Sequence, residues 1–67
     1  MRAVLARKFI RARREVGLSQ EELAQRARVR VNSIRRLESG LDSLGVRVVD
    51  KIDRALKDAG ATEPSGL

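Results

Sequence analysis

The chain has 67 residues, which at roughly 100–200 residues per domain leaves room for one small domain. It contains neither Cys nor His, so no disulfide or zinc site can staple it and the common general base and thiol nucleophile are missing; no enzyme, metal site or cofactor is expected. Fifteen Lys and Arg against nine Asp and Glu give a net charge of +6, which points to a polyanionic partner, nucleic acid before membrane surface.

Leu5, Phe9, Ala12 and Val16 recur at helical spacing with Arg7, Lys8, Arg11 and Arg14 between them, which predicts a first helix over about 3–15. Gly17 suits a left-handed helix end, and Leu18 can fold back on the last turn. Ser19-Gln-Glu-Glu22 reads as a capping box that starts a second helix at Gln20. That helix carries Leu23, Ala24 and Ala27 on one face and runs to about Arg26, too short to stand without tertiary packing. A third short helix, about Val31 to Glu38, turns Ile34 and Leu37 inward and ends at Gly40. Leu41 to Gly45 reads as a loop. Val49, Ile52, Leu56 and Ala59 then mark one face of a fourth helix, about 46–59, stopped by Gly60. The domain is expected to occupy 1–60, and 61–67 to form a flexible tail of turn composition.

The positive charge is unevenly placed. Residues 1–40 hold eleven basic and four acidic side chains, whereas 41–67 hold four and five. Within 26–36, Arg26, Arg28, Arg30, Arg35 and Arg36 occur without an acid. Such a run is by itself often a solvated face. Phe9 is the one aromatic residue, so the stacking platforms of single-strand and RNA binders cannot be built, which favours duplex DNA. No apolar run approaches the ~18 residues of a membrane span, and Arg7-Lys8 interrupts any signal core, so the expected location is the cytoplasm.

Two short helices with a brief connection, the second bearing long polar side chains, outline a helix-turn-helix. In Leu18-Ser-Gln-Glu-Glu-Leu-Ala24, Val29, Ser33-Ile34 and Leu37-Glu-Ser-Gly40, the chain resembles the Cro/repressor, or xenobiotic-response-element-like, family of bacterial and phage regulators over about 8–59. The resemblance implies an all-α, compact four-helix (possibly five-helix) lambda-repressor-like fold. It places Ala24 at a close helix crossing, makes Val29 and Ile34 the plug that fixes the crossing angle, and makes Arg13 and Glu38 an internal ion pair; the alternative is two independent surface charges. It sets Gln20 against a phosphate at a helix N-terminus; Arg7, Arg11, Arg14 and Arg47 are expected as further phosphate partners, and Arg35, nearer the groove edge, as a phosphate-facing or solvated side chain. Arg30, Val31, Asn32 and Arg36 fall at base-reading positions, where Arg suits guanine, Asn adenine, and the Val methyls a thymine methyl.

Two positions depart from the family pattern. Arg28 stands where Gly is usual, so it must accept a left-handed conformation or the turn must differ. Arg30 stands where Ser or Thr commonly caps the third helix, and Arg cannot accept an amide hydrogen bond.

The function this implies is a sequence-specific duplex-DNA-binding regulator, a repressor, that reads an inverted repeat as a homodimer paired through Leu41, Leu44, Val46 and Val48. Two alternatives share parts of the plan: an antitoxin or anti-defence autoregulator that also grips a protein partner, and a protein-interaction module with an incidental basic face. A membrane-surface binder fits worst, because helices that fill one core leave no free apolar face.

Overall fold

The computed structural model describes residues 3–40 and 44–62, with side chains from residue 6 onward. Leu5, Leu41 and the sequence beyond Thr62 carry expectations that lie outside these described side chains. Four helices follow one another: α1 (Ala3–Glu15), α2 (Gln20–Ala27), α3 (Val31–Glu38) and α4 (Val46–Asp58). The expected starts hold, while α2 runs one residue further than expected and α4 one residue less.

Local chemistry sets these limits. Gly17 has φ +73°, and the chain turns out of α1 with Gly17 N–H donating to Arg14 O at 3.1 Å and Leu18 N–H to Arg13 O at 3.1 Å. This pair of bonds satisfies carbonyls that the helix leaves open. Ser19 is extended, and its Oγ accepts from Glu22 N–H at 3.0 Å while Glu22 Oε1 accepts from Ser19 N–H at 2.8 Å. The capping box is therefore complete. It also holds the Glu22 carboxyl below the usual glutamate range, first through the Ser19 backbone and then through the Ser19 side chain.

The same double closure ends α2, with Arg28 N–H on Gln25 O at 3.2 Å and Val29 N–H on Ala24 O at 3.0 Å. Here the left-handed residue is Arg28, at φ 59° and ψ 44°. The turn keeps the expected geometry, and Arg28 bears a conformation that an L side chain disfavours by about 1–2 kcal/mol.

Phe9, Leu23, Ile34, Leu37, Ile52 and Leu56 are all but completely buried, with every helix contributing. Burying side chains of this kind contributes roughly 1.5–3 kcal/mol each. Ala12, Ala24, Ala27 and Ala55 belong to the same cluster, and their small size lets the helix axes approach. The α2 helix packs on both α3 and α4, which meet each other less extensively, and α1 leans on α3 and α4.

Ala61 and Thr62, expected in the tail, meet the helices. Ala61 is buried in the core cluster, its N–H reaches Leu56 O at 2.9 Å, and the Thr62 hydroxyl donates to Glu15 at 3.1 Å. A methyl at 61 adds to the contact that closes α4, which composition alone does not reveal.

Candidate nucleic-acid interface

Within the α2–α3 pair, Ala24 is buried, Val29 is half-buried against the core and Ile34 is fully buried, as the close crossing and its plug require. Because Ile34 and Leu37 anchor α3 from behind, the opposite side of the helix faces outward. Asn32, Arg35 and Arg36 are exposed there, and Arg30 is exposed at the N-cap. Arg30 makes no side-chain cap bond, and α3 starts at Val31 without one. Its first turn contains no acid, and Arg35 and Arg36 occupy its last turn, where cations suit the helix dipole.

Val31 departs from the rest of the base-reading set. It is half-buried and packs partly against the core, so only part of its side chain faces outward. Arg35 lies 3.6 Å from Glu21, both largely exposed, a screened pair that contributes little.

Behind α3, three side chains from three helices converge. Arg13 Nε donates to Glu38 Oε2 at 2.7 Å and Arg13 Nη2 to Glu38 Oε1 at 3.1 Å, while Arg13 Nη1 donates to Leu18 O at 3.0 Å. Gln20 Nε2 donates to Glu38 Oε1 at 3.0 Å. Arg13 and Glu38 thus form the expected ion pair. Gln20, expected at a phosphate, commits one amide hydrogen to Glu38 and retains the other; its sequence neighbours gave no sign of a partner 18 residues away.

Arg7, Arg11 and Arg14 are exposed on α1 around Ile10, and together these four residues line a shallow depression without a carboxylate. Arg47 is exposed in the first turn of α4, which contains no acid and has Gly45 as an N-cap without a side chain to bond. In the expected pairing segment, Val46 is 83% exposed, whereas Leu44 and Val48 are half-buried and pack against the core. Val46 is therefore the aliphatic side chain of the three that is open to a partner.

A helix-turn-helix family model matches residues 10–57, from the middle of α1 to the last turn of α4. The chain belongs to the Cro/C1-type helix-turn-helix family. Membership makes this a DNA-binding domain of the transcription-regulator class. No curated protein and no solved structure shows a significant match. Among the described residues, no helix is long and apolar enough to cross a membrane.

Proposed function

We propose that the protein is a sequence-specific transcriptional repressor that inserts α3 into the major groove and binds an inverted repeat as a homodimer. The observation that carries this reading is the outward side of α3. It presents Arg30, Asn32, Arg35 and Arg36 on a helix locked from behind by Ile34, Leu37 and the Glu38 clamp. Arg and Asn are the residue types that make bidentate bonds to guanine and adenine edges, and a rigid mount fixes their register. Arg7, Arg11 and Arg14 on α1, Arg35 at the edge of α3 and Arg47 on α4 supply phosphate contacts, with Gln20 contributing its remaining amide hydrogen.

One short helix reads few bases, so specificity calls for two copies. Leu41, Leu44, Val46 and Val48 would join them at the start of α4, led by the exposed Val46, with recognition helices about 34–36 Å apart on successive major grooves. Such a protein acts in the cytoplasm, on the nucleoid.

Selection of bound duplexes from a random pool, followed by a salt series on the winner, tests the reading. The expected result is an inverted repeat with half-sites ~10 base pairs apart and an affinity that falls steeply with salt. Sites without symmetry would overturn the dimer, and a flat salt dependence would overturn DNA binding through the basic face.

A further inference from the structure

The C-terminal end of α2 and the outer side of α4 line a shallow, open groove of about 340 Å³ that takes no part in the proposed DNA contact. Arg26 and Arg28 form one wall, and Lys51, Arg54 and Asp58 the other. The buried residues Ala27 and Ala55 form its floor. Four cations therefore surround a narrow apolar strip with one carboxylate among them. Arg54 pairs with Asp50 on its own helix at 3.1 Å, but both are substantially exposed, so this bond competes weakly with another partner. Among the described residues, Arg26, Arg28 and Lys51 form no ion pair.

A second observation bears on the same groove. Arg28 holds the left-handed conformation that Gly adopts without cost. Backbone strain of this kind persists only where the surrounding structure over-determines it, and it clusters at ligand clamps and other functional sites. Here it places a guanidinium on the wall opposite Lys51 and Arg54.

We propose that the groove docks an acidic peptide segment of a partner protein. A duplex backbone fits less well for two reasons. The groove is lined by the end of α2, its cap Arg28 and α4, and by no residue of α3, so a duplex read by α3 is engaged elsewhere. A duplex also carries a charge about every 1.7 Å along its axis and must set phosphates against Asp58. A peptide can put a neutral residue there and its carboxylates opposite the four cations. The alanine floor and the aliphatic stems of Lys51 and the arginines suit the methylenes of Glu and small apolar residues between them.

The test is fluorescence anisotropy on the full chain with a labelled peptide of alternating Glu and Ala, against a Gln and Ala control. The acidic peptide should bind and the control should not. Arg28→Gly, which relieves backbone strain and so protects folding, and Lys51→Gln should each weaken peptide binding about fivefold. Both variants should leave affinity for a selected duplex unchanged, and protein saturated with duplex should still take the peptide. No binding of the acidic peptide, binding by the variants as tight as by the unsubstituted protein, or displacement of the peptide by duplex would overturn the proposal. So would a loss of duplex affinity in the variants with peptide binding intact, which would make the groove a DNA phosphate contact. The peptide measurement needs no DNA, so failure of the repressor reading leaves it interpretable.

Discussion

Glu38, the last residue of α3, receives both arms of the Arg13 guanidinium from α1, at 2.7 and 3.1 Å, and the amide of Gln20 from α2 at 3.0 Å. The Glu38 and Arg13 side chains are only 7% and 14% exposed, which separates this pair from an ordinary surface ion pair. One carboxylate therefore ties the end of α3 to the two helices behind it.

Removing one partner strands the other charge with little water to solvate it. Glu38→Ala or Arg13→Ala should cost about 3–5 kcal/mol, and the double variant less than the sum. A double-mutant cycle on chemical unfolding measures the coupling. A value near zero would show that the bidentate geometry carries no stability.

Arg28→Gly should stabilise the free protein by about 1 kcal/mol, because Gly accepts φ 59° without a Cβ clash even though it loses more chain entropy on folding. For a chain of this size that is a rise of about 4–8 °C in Tm. A fall in Tm would show that the Arg28 side chain contributes more to the folded state than its backbone strain removes.

Ser19→Ala should cost about 1 kcal/mol through loss of the cap. It should also move the Glu22 titration part of the way up towards the usual range, since Ala keeps the backbone N–H that is the first cause of its depression and removes the side-chain contact that is the second. The sign follows from linkage: a carboxyl whose folded pKa is lowered adds stability above its unfolded pKa and loses it as pH falls through the folded value. NMR titration of the Glu22 carboxyl in both proteins reads this directly, and an unmoved titration would show that the Ser19 hydroxyl takes no part in the depression.

Base reading and phosphate contact separate by their pattern across sequences. Asn32→Ala and Arg36→Ala should each lose roughly 1–3 kcal/mol of discrimination at one base position. Arg14→Ala should weaken all duplexes alike and reduce the salt slope. Competition binding with single-base variants of the selected site distinguishes them. Uniform weakening by all three changes would make α3 a phosphate-binding face.

What the sequence determined by itself was whatever depends on neighbours in the chain. Gly17 and the Ser19–Glu22 box fix the end of α1 and the start of α2 through bonds that span a few residues, and the spacing of Leu23, Ala27, Ile34, Leu37, Ile52 and Leu56 fixes which helix sides go inward. The Arg13–Glu38 pair was legible only through the family resemblance, since nothing local links residues that far apart. Tertiary structure decided the rest. The third member of that clamp, Gln20, looked like a free first-turn residue until α3 brought Glu38 within 3.0 Å. Val31 and Val48 read as outward residues but are half-buried, because the core reaches past the main apolar stripe. Ala61 joined the core only once the chain had turned at Gly60. The groove between Arg28 and Lys51 exists because α2 packs on α4, which brings Ala27, Ala55 and the cations around them together. Periodicity identifies which side of a helix is buried, but which side chains meet depends on how helices distant in sequence are packed.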